Sequence, residues 1–306
     1  MFDADGFLSH CGACTLRRHK LVSWVTNMSM SAGSTPSVAC RICGSSGCVT
    51  LPMETRTSRI LEARGGALLR CRVCGMVFAS RSPEVKYDRA YYRKGEPVGG
   101  YPNPQPQIEE RLKQIERYFD SRRPLHILDV GCSMGVFLRH CRESGHLPVG
   151  VEISAEAAQE ATARGLQVWV GGLEGAPFEP GSFDCVHVNH VLEHLFSPLE
   201  TLRRARQLIS SRGLLVVEVP NEHAHLGYRI KRWIAPGRLI GELPTAHTFF
   251  FSPRTLRFVL ERAGFRVLRV STPSRPDMKR PLAWVRWKLQ DGAHLGWNIE
   301  AWCVPR

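Results

Sequence analysis

His126-Ile-Leu-Asp-Val130, running directly into Gly131-Cys-Ser-Met-Gly135, is the stretch whose reading decides the fold. The first five residues have the length and composition of a buried strand, and the next five carry two glycines among small side chains. Apolar spacing from Met134 to Ser144 then reads as a helix. A strand that turns through a glycine loop into a helix is one half of a nucleotide-binding unit. Gly131 and Gly135 let the backbone come close to a ligand, and Ser133 stands between them. Glu152 lies 23 residues past Asp129, at the end of the next strand, where a carboxylate accepts both hydroxyls of a ribose. Dinucleotide enzymes space their glycines Gly-x-Gly-x-x-Gly around a phosphate. This loop begins with an acid and lacks that spacing, so a nucleoside ligand without phosphate fits it better.

Working outward, strand-like and helix-like stretches alternate. Strands are expected at 148–152, 166–170, 183–188, 214–219, 265–270 and 297–303. Helices are expected at 155–164, 199–209 and 253–263, the last with Ser252 as N-cap, a proline in its first turn and Gly264 closing it. Before the glycine loop, Ile108, Leu112, Ile115 and Phe119 mark one face of a helix over 105–120. The pattern predicts an α/β protein with a Rossmann-like, doubly wound, seven-stranded and mostly parallel sheet.

Upstream, Cys40-Arg-Ile-Cys43-Gly44 and Cys71-Arg-Val-Cys74-Gly75 form two matched knuckles. Four thiolates from two tight turns give a closed tetrahedral zinc site with no open position, hence a structural metal. The segment between them is too short for a good apolar core, so the metal is expected to supply much of its folding free energy. Cys48 is read as spare, and Cys11-Gly-Ala-Cys14 as a lone pair that completes no site. The organisation expected is a disordered tail over 1–36, a zinc ribbon over 37–80, a linker and helix over 81–121 and the α/β domain over 122–306.

These residues resemble the class I S-adenosylmethionine-dependent methyltransferases over about 125–270. The resemblance rests on the loop Leu128 to Gly135 and on Val151-Glu-Ile153. It rests equally on Ser182-Phe-Asp-Cys-Val-His-Val-Asn-His-Val-Leu-Glu-His-Leu195, on Arg212-Gly-Leu-Leu-Val-Val-Glu-Val-Pro-Asn221 and on His247-Thr-Phe-Phe-Phe-Ser-Pro253. The Leu-Glu-His and His-x-x-Phe-Phe-Ser-Pro stretches are similar to the subgroup of the ubiquinone-biosynthesis O-methyltransferases. The paired knuckles are similar to its zinc-bearing members, some of which act on nucleotide-linked sugars. The resemblance implies S-adenosylmethionine as cofactor. It implies that Asp129 reaches the methionine amino group, that Gly131, Ser133 and Gly135 line the methionine and ribose, that Glu152 holds the ribose hydroxyls and that Asn189 presents its backbone near the amine. Two residues depart from the pattern. Ser133 replaces a usual glycine, and Leu173 falls where many members carry an Asp facing adenine, with Glu174 as the neighbouring substitute.

If the acceptor is a hydroxyl, a base must take its proton, and histidine suits that near neutral pH. His190, His194, His223, His225 and His247 fall on loops at the carboxyl ends of strands, where this fold binds ligands. His247 and His194 are the expected acceptor-side residues, and His187, inside a strand, is read as structural. Residues 221–246, with Tyr228, Arg229, Lys231, Arg232, Trp233 and Arg238, are where acceptor specificity is expected; the basic cluster suits a phosphate of a nucleotide- or lipid-linked substrate and equally a solvated face.

The net charge of +13 comes from 34 Arg and 7 Lys against 28 acids, scattered along the chain. A basic balance admits a nucleic-acid partner, yet an arginine bias of this kind needs no such partner. The ribbon lacks the aromatic set single-strand readers use, and Val188-Asn-His-Val191 replaces an Asn-Pro-Pro-Tyr type of motif. The expected function is methylation of a small acceptor at oxygen or carbon, a sugar or secondary metabolite among the candidates. RNA methylation with the ribbon docking the nucleic acid is the alternative. No apolar run reaches the roughly 20 residues of a membrane span, no secretory signal is evident, and a cytoplasmic location is expected.

Overall fold

The computed structural model describes residues 38–51, 61–81, 105–120, 123–222, 246–273 and 296–306. A seven-stranded sheet takes β4 (His126–Val130), β5 (Leu147–Glu152), β6 (Gln167–Val170), β7 (Phe183–Asn189), β8 (Ile209–Pro220), β10 (Phe265–Ser271) and β11 (Asn298–Pro305) in the order β10-β11-β8-β7-β4-β5-β6. Strands β4, β5, β6, β7 and β8 are parallel to one another. Strand β11 runs antiparallel to both β8 and β10. The chain order reverses between β4 and β7, so the carboxyl ends of β4, β5, β7 and β8 frame the crevice where such sheets bind ligands.

Alternation along the strands sorts the two faces. Ile127, Cys185, Leu214 and Val216 point to helices α1 (Gln105–Phe119) and α2 (Val136–Glu143), where they pack on Leu112, Ile115, Phe137 and Cys141. Leu128, Val130, Val186, Val188, Leu215 and Val217 belong to the opposite core with α4 (Pro198–Leu208) and α5 (Pro253–Arg262). The helix signals act as read. Ser154 caps α3 (Ala155–Ala163) by accepting from the Ala157 N–H, and Ser252 with Thr255 forms a reciprocal capping box at α5.

A second, four-stranded sheet joins the ribbon to the rest. Strands β1 (Cys48–Thr50), β2 (Leu68–Cys71) and β3 (Val77–Ala79) pair antiparallel, and β9 (Phe249–Phe250) pairs with β3 through Val77 with Phe250 and Phe78 with Phe249. Cys40, Ile42, Leu69, Met76 and Phe78 share one buried cluster with Phe249, Phe251 and Leu256. The ribbon expected at 37–80 therefore completes its core on residues expected in the α/β domain. The tail 1–36, the linker 82–104 and most of the insertion at 221–246, including His223, His225 and the basic cluster, lie outside the described residues. Among the described residues no helix is long and apolar enough to cross a membrane.

Candidate cofactor and acceptor sites

The four knuckle cysteines converge. Cys40 Sγ lies 3.6 Å from Cys74 Sγ, and Cys43 Sγ 3.5 Å from Cys71 Sγ. Tetrahedral zinc with Zn–S bonds of about 2.3 Å needs sulfur pairs roughly 3.8 Å apart, so this donor set fits the ion. The Gly44 and Gly75 N–H groups close the two turns on the Cys40 and Cys71 carbonyls, with φ of 78° and 79°. Cys48 lies opposite Cys71 in the β1–β2 pairing but is not one of the four converging sulfurs, and its thiol donates to the Ser45 carbonyl.

At the end of β4 the loop turns through three left-handed residues, Gly131, Ser133 and Gly135. A Cβ on Gly131 would sit 2.3 Å from a Val191 methyl, and one on Gly135 would sit 2.4 Å from Leu166. Both glycines are thus set by neighbours from other elements as well as by φ. Ser133 holds φ of 51°, a conformation that costs a serine on the order of 1 kcal/mol. It is held there by Glu152, whose Oε2 accepts the Ser133 N–H at 2.9 Å while Oε1 accepts the Ser154 N–H at 2.8 Å. Glu152 is buried, and the Ser133 hydroxyl is a buried oxygen without a hydrogen-bond partner. The orphaned Ser133 hydroxyl, on the residue whose N–H the Glu152 carboxylate holds, suits a polyhydroxylated ligand such as a ribose. Leu173 is buried, and Glu174, read as a substitute contact to adenine, is engaged by the Thr201 hydroxyl.

The side chain of Asn189, expected only to offer its backbone, accepts from Arg111 Nη1 at 3.1 Å. Arg111 is a functional candidate that sequence reading did not single out. Reaching from α1, its guanidinium also meets His187 on β7, Glu218 on β8 and Glu300 on β11. A lone arginine flanking the apolar face of the helix, beside Leu112 and one turn from Ile108 and Ile115, gave no signal.

His194 and His247 come together, their rings 4.7 Å apart and nearly perpendicular. His194 Nδ1 donates to the Ala246 carbonyl at 3.1 Å, and His247 Nδ1 lies 2.6 Å from Glu222 Oε1. Burial, reinforced by His247, holds the His194 pKa below the ordinary histidine value. For His247 burial opposes the charged form, but the Glu222 hydrogen bond and charge outweigh it and raise the pKa. One ligand atom each from Glu193, His194 and His247 lies within 4.8 Å of the others, a set that could hold a metal ion as well as move protons. His190 sits behind this pair rather than in it, with Nδ1 3.2 Å from Glu193 and Nε2 3.4 Å from Glu218.

Burial disfavours charge on His190, yet hydrogen bonds and charges from Glu193 and Glu218 prevail and raise its pKa to about 10. A raised histidine contributes stability that is complete below its unfolded value of about 6.5 and is lost as pH climbs through the folded value. The melting temperature should therefore decline between about pH 6.5 and pH 10. In His190→Gln that part of the decline should vanish, which a pH series of thermal melts would check.

A family model described as a methyltransferase domain matches residues 106–270. The chain is 32% identical over 126 residues to the 18S rRNA (guanine-N(7))-methyltransferase of Bos taurus, covering 38% of this chain and 44% of that protein. It is 30% identical over 149 residues to the ubiquinone biosynthesis O-methyltransferase of a Caulobacter species, covering 42% and 58%. The chain thus spans about half the length of the curated relatives it matches. Among solved structures, the PH0226 protein of Pyrococcus horikoshii aligns with a TM-score of 0.51 at 15% identity, covering 72% of this chain and 100% of that one, which shows a shared fold.

Proposed function

The chain belongs to the methyltransferase-domain family, and from that premise we propose that it transfers a methyl group from S-adenosylmethionine to a small-molecule acceptor. The observation that carries this reading is the pairing of the left-handed loop at 131–135 with the buried Glu152 carboxylate. In this reading Glu152 holds the ribose hydroxyls and Ser133 adds its hydroxyl to the same ligand. Asp129 and the Asn189 backbone face the amino-acid end, and Gly131 and Gly135 keep the loop close. When bound, S-adenosylmethionine supplies a methyl group on a positively charged sulfur.

The remaining work falls to the acceptor side. His194 spends its Nδ1 proton on the Ala246 carbonyl, which leaves Nε2 as a lone-pair base. Its lowered pKa keeps the ring neutral, and so able to take up a proton, near neutral pH. It takes the acceptor hydroxyl proton as the oxygen gains the methyl group. His247, held by Glu222, orients this base and the acceptor. A carbon acceptor fits the same arrangement, with the proton drawn from carbon.

Replacing Glu152 with Ala should weaken binding of S-adenosylhomocysteine by roughly 1.5–3 kcal/mol, the worth of hydrogen bonds to a charged group. Calorimetric titration of the variant beside the wild type is the check, and equal affinities would remove Glu152 from the ribose site. A second reading, RNA methylation, draws on the named activity of the bovine relative and on Arg41, Arg64, Arg70, Arg72 and Arg81 in and beside the ribbon. The two readings part on salt. A protein that neutralises several phosphates loses affinity steeply with ionic strength, so salt-insensitive turnover of a glycosyl nucleotide with no methylation of rRNA supports the first.

A further inference from the structure

His187 stands in the middle of β7 between two valines and is almost wholly buried. Its ring is fixed on one side by Phe137, with ring centroids 4.1 Å apart. Its two nitrogens face different partners, Nδ1 toward Asp129 Oδ1 at 2.7 Å and Nε2 toward Arg111 Nη1 at 3.2 Å. Guanidinium only donates, so Nε2 must accept, and the single ring proton is left on Nδ1. That is the one tautomer able to donate to Asp129. The other would set N–H against N–H and a lone pair against a carboxylate.

We propose that His187 is a positioning residue for the amino-acid end of the cofactor, with Arg111 holding the imidazole in the tautomer that fixes Asp129. The inference rests on the cofactor reading above, in which Asp129 faces the methionine amine. An aspartate carboxylate turns in a broad, two-fold torsional well. The His187 bond stops that rotation by occupying Oδ1, and the other oxygen is left for the ligand. Arg111 is itself steadied by Glu218 and Glu300, which explains why a helix outside the loop bears on the loop's first residue.

A purely structural role and a positioning role differ in which ligand they affect. S-adenosylhomocysteine carries the amino acid, whereas 5′-methylthioadenosine shares the nucleoside and sulfur and ends there. In His187→Leu, binding of S-adenosylhomocysteine should fall roughly ten- to a hundredfold, with 5′-methylthioadenosine within about twofold of wild type. His187→Asn, which returns a donor to the Nδ1 position, should recover most of the loss and serves as the reference if the leucine variant does not fold. In the free protein, nitrogen NMR of His187 should show the Nδ1–H tautomer, and Arg111→Met, which removes the donor facing Nε2, should shift it toward the other. Equal losses for both ligands, or no loss for S-adenosylhomocysteine, would overturn the proposal, as would an Nε2–H tautomer in the wild type. If the wild type binds neither ligand, the cofactor reading itself fails and this inference falls with it.

Discussion

Removing zinc from Cys40, Cys43, Cys71 and Cys74 should unfold the ribbon and release β9 with it. Structural zinc in small peptides contributes about 10–16 kcal/mol of apparent free energy at neutral pH, far more than a three-stranded segment can replace. Strand β9 has two neighbours. On one side it pairs with β3, and the Ala79 N–H donates to the Thr248 carbonyl; on the other, the Thr248 and Phe249 N–H groups donate to the Glu193 carbonyl. His247 is therefore placed by a segment laced between the ribbon and the turn that carries Glu193 and His194. Arg41 adds a second tie, its guanidinium 3.9 Å from the Phe196 ring centre. The expected result for Cys71→Ser, or for chelation, is loss of amide-exchange protection over 248–251 together with the ribbon, while the loop at 129–135 stays protected. Metal analysis of protein purified without chelator should return one zinc per chain; none would refute the site.

Loss of either histidine proposed for the acceptor side should be the largest catalytic effect. A positioned base contributes typically 10²–10⁴-fold to rate, and His194→Ala should lower single-turnover methyl transfer by an amount in that range. His247→Ala should fall less, because it leaves the His194 nitrogen in place but frees its surroundings. In both, affinity for S-adenosylhomocysteine should stay near wild type, since Ala246 and Glu222, which hold the two rings, lie outside the loop. The pH profile follows from the directions of the shifts. With the His194 pKa held below the ordinary value of about 6.5, the acid limb of turnover should lie below that pH and rise through it. Full activity in both variants would take them out of the site.

Much of this architecture was readable because its signals are local. The strand at His126–Val130, the capped helices at 155 and 253 and the paired knuckles depend on periodicity and on turn residues, and the structure places all of them within two residues or so of the expectation. Strand β8 begins five residues earlier than expected because Ile209 pairs with Phe183 across a register shift. What was hidden depends on distant partners. Phe249–Phe250 carries no strand signal of its own, since two residues show no alternation, and only pairing with β3 defines it. Arg111 looks like any solvated helix position until Glu218 and Glu300 surround it. His187 was legible as a buried strand residue, but its two partners lie 58 and 76 residues away. Glu222 shows its bearing on His247 only in three dimensions.

The most direct test of the central claim is a calorimetric titration of S-adenosylhomocysteine into folded, zinc-loaded protein. Binding of one molecule per chain, weakened in Glu152→Ala and unchanged in His194→Ala, is the predicted result. Absence of any binding heat, with competition for labelled S-adenosylmethionine equally silent, would contradict the assignment of the loop at Asp129 to Gly135 as a cofactor site.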